Sequence, residues 1–149
     1  MTMKIKGEFP DYFRAIQVKF SRFYAAALNK ADLSISQYAL LNHLVSSGST
    51  PMCEIGEKLH VTKPAVTHLV DKLEKAKFLK RISHPTDRRV SLLKVLPKGV
   101  RVVKQIQEKV LGIVGHALHE FKPAEQKIIL RYHSLISEVI DQVLNESEV

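Results

Sequence analysis

Two stretches of the 149-residue chain hold side chains whose types and spacing suit recognition of a polyanion. The first is Thr62-Lys63-Pro64 followed by Thr67, His68 and Lys72. Val66, Leu69, Val70 and Leu73 recur at steps of three and four, a buried helical stripe, and that turns Lys63, Pro64, Thr67, His68 and Lys72 outward. On a helix laid in the major groove of DNA, lysine donates to guanine O6 and N7, and histidine donates to a purine acceptor. Threonine donates, accepts or touches a thymine methyl. Lys72 and Lys75 lie further along and suit phosphate, which positions without specifying. The second stretch is Asp87-Arg88-Arg89. A long cation on a rigid hairpin can enter a narrow minor groove, where the negative potential is deepest. Asp87 would repel DNA if left unpaired, so its expected role is to hold one neighbouring arginine and stiffen the turn.

The distribution of charge singles out the same region. The chain carries 23 Lys and Arg against 15 Asp and Glu, a net charge of +8. Residues 61–101 contain eleven of those bases and three of the acids, so this segment alone is +8 and the remainder cancels. Such a local field concentrates a polyanion. A winged-helix module that binds another protein is the alternative, but it would not need this charge.

Other residues invite different chemistry. Cys53 could make the protein a redox-sensing regulator, but its expected state is an inert, partly buried thiol on a short helix. His116 and His119 are three apart, with His133 beyond, and no carboxylate or cysteine accompanies them at ligand spacing, so no metal is expected. Nucleophile–base–orienter sets, phosphate-cradling glycine loops and paired carboxylates are missing from the sequence, which argues against an enzyme or a bound cofactor. Phe13, Phe20, Phe23, Tyr24 and Tyr38 could line a ligand pocket, but helical spacing of this kind more often makes plain core. A single cysteine and the lack of an apolar signal segment or membrane span point to the cytoplasm. At 45 % hydrophobic and 26 % charged, the chain falls outside the disordered, collagen-like and membrane classes.

These side chains need a framework. Phe9, Phe13, Ile16, Phe20, Phe23 and Ala27 mark one long helix, with Pro10 in its first turn. A second helix is expected over about 34–45, capped by Ser34, with Leu40, Leu41 and Leu44 inward. After the Ser46–Ser49 loop, Thr50 is expected to cap a short helix that starts at Pro51 and buries Met52, Ile55, Gly56 and Leu59. His60 and Val61 form a tight connection, and Thr62 caps the next helix, so the pair makes a helix-turn-helix. The helix starts near Thr50 and Thr62 would offer N–H groups to phosphate. Period-two residues on either side of Pro85-Thr86-Asp87 then predict a β-hairpin, a wing. Pro97 opens a long helix to about His119, and a last striped helix follows Pro123. These terminal helices carry more apolar surface than the centre can bury, and pairing with a second copy would cover it.

The runs Leu33-Ser34-Ile35-Ser36-Gln37-Tyr38, Ile55 to Thr67, Val70-Asp71-Lys72-Leu73-Glu74 and His84-Pro85-Thr86-Asp87-Arg88-Arg89 resemble the MarR family of transcriptional regulators. The resemblance is continuous over about residues 33–99, and the flanking helices agree by pattern alone. It implies a mainly α fold with a small β-hairpin wing. Residues 1–33 would form an N-terminal dimerisation helix, 34–98 the winged helix-turn-helix domain, and 99–149 the C-terminal dimerisation helices. It further implies a homodimeric repressor bound to palindromic double-stranded DNA and released by a small, often aromatic, effector. Two positions depart from the family: Gly56 replaces the usual alanine, and Leu96 stands where a threonine often caps the long helix.

Overall fold

The computed structural model describes residues 7–146, and its elements follow the predicted order with one addition. They are α1 (Phe9–Lys30), α2 (Ile35–Ser47), β1 (Thr50–Pro51), α3 (Met52–Lys58) and α4 (Lys63–Lys75). After them come β2 (Leu79–Ser83), β3 (Ser91–Val95), α5 (Pro97–His119) and α6 (Pro123–Glu146). Two compact units divide between Ile106 and Gln107, inside α5.

Local chemistry explains the boundaries in the first unit. Ser34 and Gln37 form a reciprocal capping box: the Ser34 hydroxyl accepts from Gln37 N (3.1 Å) and Gln37 Oε1 accepts from Ser34 N (2.8 Å). Thr62 Oγ1 accepts from Ala65 N at 3.4 Å and starts α4. Three helices end in the same device. Asp32, His60 and Lys77 each take positive φ, at 53°, 51° and 60°. The next residue's N–H then reaches back over the last turn: Leu33 to Leu28 O, Val61 to Gly56 O, Phe78 to Leu73 O, at 2.9–3.0 Å. These are Schellman closures of α1, α3 and α4 made without glycine. The buried side chains meet in one core: Leu40, Leu41 and Leu44 from α2, Ile55 from α3, and Val66, Val70 and Leu73 from α4, with Leu79, Leu93 and Val103.

The wing is a three-stranded antiparallel sheet in the order β1-β3-β2. Thr50 and Pro51 pair with Leu93 and Leu92, so the expected helix cap at Thr50 is corrected: that dipeptide is a strand. Thr50 is buried, and its hydroxyl donates to Gly48 O (3.2 Å) and lies 3.3 Å from His43 Nε2. The edge of β3 needs backbone partners, and the extended Thr-Pro pair supplies them. Consequently α3 begins at Met52, with Pro51 before it and no side-chain cap. On β3 the fully buried residue is Leu93; Leu92 and Lys94 point to the opposite face. Leu96 N donates to Phe78 O (2.8 Å) and Leu96 O accepts from Val100 N (3.0 Å), which seats the start of α5 without a threonine cap. Gly99 lets α5 approach: a Cβ there would lie 2.5 Å from Phe78 O and 2.8 Å from Val95 Cγ2.

Within the second unit, α6 carries Leu135, Val139, Ile140 and Val143 about half-exposed. The α5–α6 turn is held by Gln126 Nε2, which donates to Leu118 O and Phe121 O, and by Glu125, which accepts from Lys122 N at 2.7 Å. In the first unit Phe9, Phe13 and Ile16 of α1 are likewise exposed, whereas Tyr24, Ala27 and Leu28 pack on the core. Among the described residues no helix is long and apolar enough to cross a membrane.

Candidate nucleic-acid interface

The N-terminal half of α4 presents Thr62, Lys63, Pro64, Thr67 and His68 to solvent, with Lys72 and Lys75 exposed further along. The reason is the inward stripe: Val66, Val70 and Leu73 are buried, and Leu69 is half-buried. Thr67 Oγ1 donates to Lys63 O at 3.3 Å. With its hydrogen engaged inside the helix, this hydroxyl offers a base edge its lone pairs and methyl group rather than a donor.

The turn before α4 is tight. A Cβ on Gly56 would come 2.9 Å from the Val61 carbonyl oxygen, so glycine allows the closure that aims α4. Beside it lies a cavity of about 210 Å³ lined by Met52, Cys53, Gly56, Lys63, Val66 and Thr67. Cys53 is exposed, not partly buried as expected, because Ile55 takes the inward position on α3. The sequence reading missed this cavity; its only signal was a glycine in the helix facing the turn.

The wing tip is organised by two side chains. Asp87 Oδ1 accepts from Arg89 N (3.0 Å) and Arg89 Nε (3.2 Å), and Oδ2 lies 3.4 Å from Arg89 Nη2. These side-chain and backbone bonds from Arg89 hold the Asp87 carboxyl below the usual carboxylate range. Arg89 is thus the arginine that Asp87 holds, while its side chain stays 91 % exposed. Arg88 is exposed and enters no ion pair among the described residues. The second organiser is His84, at the start of the run His84-Pro85-Thr86-Asp87-Arg88-Arg89. Its Nδ1 accepts from Thr86 N and Asp87 N, both at 3.3 Å, while His84 N donates to Val90 O at 3.1 Å. Its nearness to Pro85-Thr86-Asp87 was the available cue.

Charge counting also missed a division of labour. Arg81 of β2 donates to Asp71 Oδ1 at 2.5 Å and to Glu74 Oε2, and its backbone N donates to Glu74 Oε1 at 2.9 Å. Asp71 first, then Glu74, hold this guanidinium in its charged form. All three acids of the +8 segment are therefore bound by Arg81 or Arg89. Lys98 Nζ donates to Ala76 O (2.8 Å) and sits 4.2 Å over the Phe78 ring. The exposed lysines of α4 and Arg88 keep their charge outward.

Of the aromatic residues proposed for a pocket, Tyr24 and Tyr38 lie 6.2 Å apart and pack against the core, and Phe13 is exposed. Burial, and then Tyr24, push the Tyr38 phenol up. His133 Nδ1 bonds Ile129 O at 2.8 Å. Among the described residues no three His, Cys, Asp or Glu side chains are grouped to hold a metal ion.

A short helix, a tight turn, a second helix with an outward polar face and a three-stranded wing packed behind it define a winged helix-turn-helix protein. A model of the MarR family matches residues 33–91 of this chain. The HTH-type transcriptional regulator MhqR of Bacillus subtilis (strain 168) is 34 % identical over 79 residues, 53 % of this chain and 54 % of that one. The chain spans little more than half the length of MhqR, and 62 % and 56 % of two other B. subtilis relatives. Two solved structures share the fold. RV1404 from Mycobacterium tuberculosis superposes with a TM-score of 0.76 at 23 % identity, covering 93 % of this chain and 97 % of that one. A point mutant of S. aureus MepR, solved bound to an oligodeoxyribonucleotide, superposes at 0.69 with 18 % identity, covering 90 % and 99 %.

Proposed function

We propose that the protein is a cytoplasmic, homodimeric transcriptional repressor that reads a palindromic operator in double-stranded DNA. The carrying observation is the outward row Lys63, Thr67 and His68 on a helix whose back is sealed in the core, flanked in the same compact unit by the exposed Arg88. In this reading α4 enters the major groove, with Lys63, Thr67 and His68 on base edges and Lys72 and Lys75 on phosphates. The wing tip places Arg88, with Arg89 beside it, in the adjacent minor groove. That a MepR mutant of the same fold was solved bound to an oligodeoxyribonucleotide supports a DNA-binding reading. The half-exposed apolar residues of α1 and α6 favour dimerisation through the terminal helices. Release by a small aromatic effector rests on the family resemblance alone.

Selection of duplexes from a random pool tests the reading. The expected product is a two-fold symmetric motif with half-sites about 10 bp apart. Its affinity should fall steeply with salt, and Lys63→Ala or Thr67→Ala should relax preference at individual base pairs. Recovery of no motif, or binding indifferent to salt, would overturn it.

A further inference from the structure

The wing and α4 are parts of one reading head only if their separation is fixed. The wing joins α4 through the short link after Lys75, and its tip lies several residues beyond any core contact. Arg81 sits between them. On β2 it faces Leu93 across the sheet, so it lies on the same face as the core residues Leu79 and Leu93. Its guanidinium reaches Asp71 and Glu74, three residues apart and hence on one side of α4. Its own N–H donates to Glu74 as well, so one residue binds the helix through both backbone and side chain. The strand cannot slide or rotate against α4 without breaking all three contacts together. A planar guanidinium can serve two carboxylates at fixed angles; an ammonium is a point donor and cannot. With the side chain 30 % exposed and both terminal nitrogens bound to carboxylates, Arg81 is poorly placed to contact phosphate itself.

We infer that Arg81 is a positioning residue that locks the wing to the reading helix and so sets the spacing between the major-groove and minor-groove contacts. This inference rests on the DNA-reading proposal above. The test is a double-mutant cycle on a duplex selected by the wild-type protein, comparing Arg81→Met in the wild-type and Arg88→Ala/Arg89→Ala backgrounds. Arg81→Met should weaken binding about tenfold in the first background and less than about twofold in the second, where the wing has no contact left to misplace. Equal losses in both backgrounds would overturn the inference. Asp71→Asn, which leaves the Glu74 contacts, should show the same dependence at smaller size and serves if Arg81→Met folds poorly.

A second measurement is independent of DNA. Hydrogen exchange of residues 79–95 should speed up in Arg81→Met while residues 35–47 keep their wild-type protection. Equal acceleration of both would mean that Arg81 merely supports the whole unit, and the positioning role would fall. Should the wild-type protein select no duplex, the DNA reading fails, and the exchange result alone decides whether the lock exists.

Discussion

Gly99 and Gly56 show how single atoms govern this fold. Alanine usually improves on glycine in a helix by about 1 kcal/mol. At Gly99 the added methyl would meet the Phe78 carbonyl oxygen at 2.5 Å and Val95 at 2.8 Å, and neither backbone nor a packed valine yields easily. Gly99→Ala should therefore cost about 3 kcal/mol in urea unfolding, by overpacking. Gly56→Ala meets only one such atom, Val61 O at 2.9 Å, and should cost less. Wild-type stability in Gly99→Ala would contradict the packing. Asp87 offers a different measurement. Its carboxyl is held below the usual 3.8 by Arg89, so the stabilisation is present above that value and is lost as pH falls through the lower folded value. A carbon-detected NMR titration should place its midpoint below 3.8, and Arg89→Ala should return it to the ordinary range. Near neutral pH the carboxylate is already ionised, so wing geometry should not change with pH there through Asp87.

At the scale of elements, three helix ends share one geometry without glycine. Asp32 has a short polar side chain that tolerates positive φ, but Lys77 has none to help it and is exposed. Lys77→Gly should stabilise the protein by about 1 kcal/mol in thermal or urea unfolding, since the left-handed position after α4 then carries no Cβ penalty. A destabilised variant would show that this lysine does something else. The same backbone closure fixes the direction in which the chain leaves α4 for the wing. The angle between helix and hairpin is therefore set twice, by a backbone turn at Phe78 and by Arg81 beyond it.

For the whole molecule, one compact unit carries the reading surface, and the second leaves Leu135, Val139, Ile140 and Val143 half-exposed along α6. If a second copy covers such residues, Leu135→Arg with Val139→Arg should convert a dimer to a monomer in sedimentation equilibrium. Affinity for the symmetric operator should then drop about 100-fold or more, because a monomer holds one half-site at a time. A fully dimeric double variant would move the interface elsewhere.

The chain alone disclosed the helices, the caps at Ser34 and Thr62, the hairpin and the outward row on α4. All of these follow from neighbours within a few residues, through helical period, capping hydroxyls and turn chemistry. It also led to the pairing of Asp87 with an adjacent arginine, since the partners are two residues apart. What it could not disclose depends on groups distant in sequence. Thr50 became a strand because Leu93, more than forty residues on, needed a backbone partner. Cys53 turned outward because the core had room for Ile55. Arg81 counted as one more cation until folding brought Asp71 and Glu74 to it. Periodicity reports which side of an element is apolar, whereas the identity of the atoms that meet that side is settled only when the elements pack.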